Sequence, residues 1–148
     1  IVFFGCPDLS EQDAIDYQHV DLGVLSNERL RRVYNDAAIY LDTSEFQGFG
    51  RPALEAMACG CATVLGRDGG VTEYARDGEN TLLVDPADRD ATVAAVVRLL
   101  DDRALRSRFA AAGLETAARF DCDTEARETS RLFATALAEG GVALGEVG

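Results

Sequence analysis

The stretch that decides the reading is Ser44-Glu45-Phe46-Gln47-Gly48-Phe49-Gly50-Arg51-Pro52-Ala53-Leu54-Glu55. Just before it, Ala38 to Leu41 is a short apolar run that reads as a buried strand. Pro52 suits the first turn of a helix, where its missing N–H is not needed. Leu54, Met57 and Ala58 form the apolar side of that helix, and Gly60 stands where a terminating glycine would. A glycine turn between strand and helix lets the backbone approach a ligand closely. The helix that follows presents unpaired N–H groups and the positive end of its dipole. Together these make an anion site suited to a diphosphate. The favourable field is modest, about 0.3–1 kcal/mol per charge and ~2 kcal/mol in a partly buried site. Arg51 stands at the mouth, where its forked donors can reach phosphate oxygens.

Outward from this turn, strands and helices alternate. Ile1 to Phe4 reads as a strand closed by Gly5, and His19 to Leu22 as a short strand closed by Gly23. Ser26 is placed to cap a helix with Leu30, Val33, Tyr34 and Ala37 on one face. Ala62 to Leu65 and Thr81 to Val84 are further strands, stopped by Gly66 and by Asp85-Pro86. Between them the Asp68-Gly69-Gly70 turn leads into a short helix around Thr72 to Arg76. Asp88 is placed to cap a helix with Val93, Val96, Val97 and Leu100 inward. Leu105, Phe109 and Ala112 give another stripe, broken by Gly113. Asp123 or Thr124 starts a last helix with Leu132, Phe133, Ala136 and Leu137 inward. This order predicts an α/β fold, a doubly wound parallel sheet with helices on both faces. Residues 1–139 are expected to form one lobe and 140–148 a flexible tail. In such sheets ligands bind beyond the carboxyl ends of the strands. Here those ends carry Gly5-Cys6, Thr43-Ser44, Gly66-Arg67-Asp68 and Asp85, with both glycine turns on the same edge.

Composition narrows the function. The chain has 148 residues, 47% of them hydrophobic, which excludes a wholly disordered chain. The formal net charge is −12, and all 14 basic residues are arginines. A field of that sign argues against nucleic acid or an anionic membrane as a bulk partner, but not against a small anion in a locally positive pocket. No apolar run approaches the roughly 20 residues that span a bilayer. The first residue is Ile1, and a fragment or excised domain is expected. Cys6, Cys59, Cys61 and Cys122 do not make a disulfide framework, and with His19 the single histidine no zinc set is apparent. The cysteines read as buried or half-buried thiols in a reducing cytoplasm.

Several residues admit two readings on position alone. Glu55, in what reads as the first turn of its helix, is either a dipole-stabilised surface carboxylate or an acceptor of two ribose hydroxyls. Phe49 is either an aromatic plug or a ligand contact. The Gly69-Gly70 turn either ends a strand or lines a sugar pocket. Arg51 and Arg67 are either phosphate ligands or solvated surface cations.

From Ser44 to Asp102 the chain reads SEFQGFGRPALEAMACGCATVLGRDGGVTEYARDGENTLLVDPADRDATVAAVVRLLDD. This resembles the carboxy-terminal lobe of two-lobed (GT-B) glycosyltransferases of the group 1, or family 4, class. The glycine turn, LEAMACG, the GG followed by Glu73, DGEN with LLVDP, and the LLDD helix come in the family's order and spacing. The resemblance runs from about Ile1 to Phe120. It implies a Rossmann-like lobe that binds a nucleotide-sugar donor, with the acceptor held by an amino-terminal lobe outside this chain. It implies no metal and no other cofactor, and peripheral membrane association only through that other lobe. It also implies that the lobe's first strand and helix are lacking here.

The family's signature is two glutamates separated by seven residues. The second aligns with Glu55, whose implied role is to hold the ribose. The first aligns with Gln47, and an amide there can position a sugar but supplies no charge. By that alignment Gln47 is an expected catalytic residue; Arg51 is expected beside it on its position alone, since the family's basic residues early in the lobe are lacking here. Gly48, Phe49, Gly50, Glu55, Gly69, Gly70 and Glu73 are expected to bind the donor. The implied reaction is transfer of a glycosyl group to an acceptor hydroxyl, with retention, in the synthesis of a polysaccharide or glycoconjugate. Negative charge growing on the departing diphosphate would meet oriented N–H groups at Gly48 to Arg51. No acid pair with a shared site is apparent, which argues against a glycoside hydrolase. The rival readings are a sugar-nucleotide epimerase lobe, a non-catalytic nucleotide-binding or interaction module, and a structural domain that has lost its ligand.

Overall fold

A computed structural model describes residues 1–5 and 18–139. Its centre is the strand β4 (Ala62–Gly66), buried at every position. A run of Ala, Thr, Val and Leu suits a strand covered on both faces, where alternation of polar and apolar residues has no use. On one side β4 pairs in parallel with β3 (Ile39–Asp42), and on the other with β5 (Leu82–Val84). The one hydroxyl buried at the middle of β4 is satisfied: Thr63 Oγ1 lies 2.8 Å from Thr81 Oγ1, which also bonds the Thr63 carbonyl at 2.9 Å.

The remaining strands, β1 (Val2–Phe3) and β2 (Val20–Asp21), pair in parallel with each other and form a separate two-stranded sheet. The parallel α/β class is thus as expected, but the described strands make two sheets rather than one continuous sheet.

Helices cover both faces. On one lie α1 (Asn27–Asp36) and α2 (Arg51–Ala58), packed around Tyr34, Leu54 and Met57. Ser26 caps α1 by accepting from the Arg29 amide at 3.4 Å. On the other lie α3 (Arg89–Asp101) and α4 (Arg103–Ala117), packed on Val64, Leu82 and Val84 through Leu99, Leu105 and Phe109. Asp88 caps α3 through the Ala91 amide at 2.8 Å. Asp102 ends α3 and caps α4 through the Leu105 amide at 2.8 Å. Arg106 bonds the Leu99 and Leu100 carbonyls at 2.6 and 3.0 Å, so a cation closes the negative end of α3.

Four expectations are corrected. Gly113 does not break a helix: α4 runs through it, and a Cβ there would come within 3.2 Å of Met57 Cγ. The glycine lets α4 press on α2. The short helix expected over Thr72 to Arg76 is a 3₁₀ turn, Gly70–Glu73. In α3 the buried residue is Leu99, whereas Val93, Val97 and Leu100 are exposed. In α5 (Cys122–Glu139) Leu132, Phe133 and Leu137 are 66–70% exposed rather than inward. The tail expected over 140–148 lies outside the described residues, as does Cys6. Among the described residues no helix is long and apolar enough to cross a membrane.

Candidate functional site

The chain leaves β3 at Asp42, and that carboxylate organises the exit. Its Oδ1 accepts from the Ser44 amide at 3.0 Å and the Ser44 hydroxyl at 2.6 Å, and its Oδ2 accepts from the Tyr40 hydroxyl at 3.1 Å. Gly50 then enters α2 as its N-cap with φ 78° and ψ 39°, left-handed values that a side chain disfavours. A Cβ on Gly50 would also lie 2.6 Å from Gln47 Oε1, Val71 Cγ1 and the Tyr74 hydroxyl. Glycine is therefore demanded twice, by dihedral and by space.

The second glycine turn is pressed directly onto the first. The Gly70 amide donates to the Gln47 carbonyl at 3.0 Å. A Cβ on Gly69 would sit 2.6 Å from that same carbonyl oxygen, and one on Gly70 would overlap the Gly48 carbonyl. Tyr74, 3% exposed, donates its hydroxyl to the Gly50 carbonyl at 2.7 Å. Burial, with Asp42 nearby, pushes the Tyr74 pKa far above its ordinary value, so the phenol stays a donor. The two turns are one interlocked unit at the carboxyl edge of the sheet.

That unit leaves the start of α2 open. The amides of Gly48, Phe49, Gly50 and Arg51 have no acceptor among the described residues, and Pro52 has no N–H to offer. Gly48 is exposed and Gly50 buried, with Phe49 between the two extremes. The Phe49 ring meets Tyr74 and Phe120 edge-on at 5.7 and 5.8 Å, and those two rings meet at 5.8 Å. The ring is committed to packing, so a ligand at this turn meets its backbone.

Gln47 is half-buried. Its Oε1 is buried without a hydrogen-bond donor and lies against Gly50. An unsatisfied buried acceptor costs about 1–3 kcal/mol. Arg51 and Glu55 are both exposed, one helical turn apart on α2. Glu55 is the fifth residue of α2, so it belongs to the second turn and not the first. It lies near enough to Tyr34 to raise that phenol's pKa, although burial of Tyr34 is the larger cause. Arg51, Leu54, Glu55, Phe120 and Ser130 are among the residues lining an open cleft of about 630 Å³ between α2, the end of α4 and α5. A shallower hollow of about 410 Å³ at the start of α3 is lined by Asp85, Asp88 and Asp90, whose charges repel phosphate.

The other candidates are less engaged with the turn. Glu73 is exposed at the end of the 3₁₀ turn, and its carbonyl accepts from Arg76 at 3.3 Å. Arg67 leans toward Asp85 at 3.9 Å, an exposed pair worth little. Cys59 and Cys61 are free thiols. Cys61 is buried and bonds the Tyr34 carbonyl at 3.1 Å, and burial, helped by Cys59, pushes its pKa up to about 11. Among the described residues no three His, Cys, Asp or Glu side chains gather as a metal-binding group.

Two supports were not anticipated. Tyr74 ties the turns together from below, and nothing in local spacing marks it. Asn80, 6% exposed, bonds the Tyr74 carbonyl and Thr116 Oγ1, both at 2.9 Å, so the loop after the 3₁₀ turn is fastened to α4. The one available signal was the Asp77-Gly78-Glu79-Asn80 turn itself, since asparagine in a tight turn commonly bonds nearby backbone.

Residues 8–116 match the model of the glycosyl transferases group 1 family. A D-inositol 3-phosphate glycosyltransferase of Acidothermus cellulolyticus is 38% identical over 112 residues, which are 76% of this chain and 25% of that protein. The chain thus spans about a quarter of that relative's length. Among solved structures, a sucrose-phosphate synthase of Thermosynechococcus elongatus superposes with a TM-score of 0.84 at 25% identity, over 94% of this chain and 39% of that one. Anabaena HepE, solved with UDP-glucose, shares the fold with a TM-score of 0.74 at 20% identity, over 81% of this chain and 33% of that one.

Proposed function

The chain belongs to the group 1 glycosyl transferases, and from that premise we propose that it is a donor-binding lobe that holds a nucleoside-diphosphate sugar for transfer to an acceptor hydroxyl. The observation that carries this is the pair of interlocked glycine turns with open amides at the start of α2. The diphosphate lies against the amides of Gly48 to Arg51, and the Arg51 guanidinium closes over it. The ribose hydroxyls donate to Glu55. The sugar meets the half-buried Gln47.

The chemistry asks little of this lobe beyond placement and charge. As the bond between the anomeric carbon and the diphosphate lengthens, negative charge collects on the leaving oxygen. Fixed amide dipoles and an arginine stabilise it where they already point, with no reorganisation at the moment of reaction. The acceptor and any base belong to the partner lobe. Transfer proceeds with retention and serves the assembly of a polysaccharide or glycoconjugate, in the cytoplasm. Membership of the family and the ordered motifs disfavour the epimerase lobe.

Titration of the chain with UDP and with GDP, followed by amide chemical shifts, tests the reading. Shifts concentrated at Gly48 to Glu55 are expected with at least one of the two. Glu55→Ala is expected to weaken that binding about tenfold, or ~1.4 kcal/mol, with stability changed by less than about 0.5 kcal/mol because the side chain is exposed. An unperturbed turn with both nucleotides would overturn the assignment.

A further inference from the structure

We propose that Tyr34 is a positioning residue for Glu55: when nucleotide binds, the Tyr34 hydroxyl donates to the Glu55 carboxylate and holds it where the ribose hydroxyls reach it. This rests on the reading of Glu55 as the ribose acceptor and adds a residue on another helix that governs how well Glu55 performs.

The starting point is a hydroxyl with no use in the empty lobe. Two buried side-chain polar atoms among the described residues lack a hydrogen-bond partner, Gln47 Oε1 and the Tyr34 hydroxyl. Both border α2: Gln47 Oε1 lies against Gly50, its N-cap, and Tyr34 belongs to the cluster packed on its buried side. Tyr34 is 2% exposed, so bulk solvent does not reach it. The other two described tyrosines are bonded, Tyr40 to Asp42 Oδ2 at 3.1 Å and Tyr74 to the Gly50 carbonyl at 2.7 Å. The packing of Tyr34 needs no oxygen. Its ring meets the Phe4 and Tyr40 rings edge-on at 5.6 and 5.8 Å, and a phenylalanine would make the same contacts. A hydroxyl buried without a bond lowers stability, and in a folded protein it calls for a cause.

Few acceptors stand near the phenol. They are Glu55, Asp42, Cys59 and Cys61. Asp42 is already occupied, its Oδ1 by the Ser44 amide and hydroxyl and its Oδ2 by Tyr40. The Cys61 thiol gives its hydrogen to the Tyr34 carbonyl at 3.1 Å. Sulfur is a weak acceptor, which sets Cys59 aside as well. The Glu55 side chain has no hydrogen bond or ion pair among the described residues. A carboxylate offers about four lone-pair positions, enough for two ribose hydroxyls and a phenol together.

The helices bring the pair together. α1 packs along α2, and Cys59 at the end of α2 packs against the cluster that holds Tyr34. Glu55 stands four residues before Cys59, one turn earlier on the same ridge. Burial is the main cause that raises the Tyr34 pKa, and Glu55 contributes most among the neighbouring groups. The two side chains differ in freedom. Glu55 is exposed and turns about three torsions, whereas Tyr34 is fixed between Phe4 and Tyr40. A bond between them therefore takes its geometry from the tyrosine. It forms as the ribose orders the carboxylate, and a donor to an ionised group makes one of the stronger hydrogen bonds. Its contribution then falls on nucleotide affinity and not on the stability of the empty lobe.

Calorimetric titration of UDP and of GDP into the chain, Tyr34→Phe, Glu55→Ala and the double variant decides the matter. With whichever nucleotide binds, Tyr34→Phe is expected to weaken affinity about fivefold. Its Tm without nucleotide is expected to be unchanged or higher, because the hydroxyl removed had no bond. In the Glu55→Ala background the same change is expected to shift affinity by less than about twofold, since the acceptor is gone. A role confined to packing would lower the Tm and weaken binding equally with and without Glu55, and either result overturns the proposal. The two readings fail separately. Weaker binding by Glu55→Ala with wild-type affinity in Tyr34→Phe leaves Glu55 as the ribose acceptor and removes only the part given to the tyrosine. Wild-type affinity in Glu55→Ala removes the ribose reading and the positioning role with it. Absence of binding with both nucleotides overturns both.

Discussion

The helices α2 and α5 present apolar residues of the same kinds, and the structure treats them in opposite ways. α2 has eight residues and buries four of them, Ala53, Leu54, Ala56 and Met57. α5 has eighteen and leaves Leu132, Phe133 and Leu137 mostly in solvent. Hydrophobic spacing shows that a helix has a face to bury. Whether that face is buried depends on a partner surface, and α2 finds β3, β4, α1 and α4 around it. The flank of α3 repeats the α5 case at smaller scale.

The strongest way to break the contrast is to wedge the α2 side apart. Gly70→Val forces a branched side chain into the Gly48 carbonyl, and about 3 kcal/mol of stability should be lost. Urea denaturation reads this directly, and a loss under ~1 kcal/mol would show that the two turns separate easily. Tyr74→Phe removes only the bond to the Gly50 carbonyl, and about 1 kcal/mol is expected by the same measurement.

A change of pH acts on the same side of the molecule. The Cys61 thiol has its pKa raised from 9.0 to about 11 by burial. Its proton is held more tightly in the folded chain than in the unfolded one. The associated stability is complete below pH 9 and falls as pH rises from 9 toward 11. Burial pushes Tyr34, Tyr40 and Tyr74 upward as well, with the same sign at still higher pH. Melting temperatures across this window should decline, and Cys61→Ala should flatten the part between pH 9 and 11. The smallest effect belongs to α5. Leu137→Ser, at a site 70% exposed, should change stability by less than about 0.5 kcal/mol in this chain. A larger loss would mean that α5 is covered in solution.

Much of the site could be read in advance because its causes are local. Gly50 needs a positive φ, Pro52 suits a helix start, and Gly60 with φ 82° ends the helix after Cys59. Ser26, Asp88 and Asp102 act through residues three positions on. The misreadings share a cause of another kind. Gly113 looked like a breaker because its reason for being glycine is Met57, far away in sequence. Val93, Val97 and Leu100 looked inward because periodicity specifies a stripe without saying how wide the covering surface is. Tyr74 and Asn80 gave no sign because their partners lie 24 and 36 residues away, at Gly50 and Thr116.

Short-range chemistry, then, was enough to establish the parallel α/β class, the capped helices and an amide-lined turn fit for an anion, since dihedral preference, capping and alternation act within a few residues. Long-range contact alone set the pressing of Gly69-Gly70 onto Gln47-Gly48, the Tyr74 bond beneath them, the turning of Gln47 Oε1 inward and the division of the strands into two sheets. Those features depend on which distant backbones touch, and only the folded chain brings them within bonding distance.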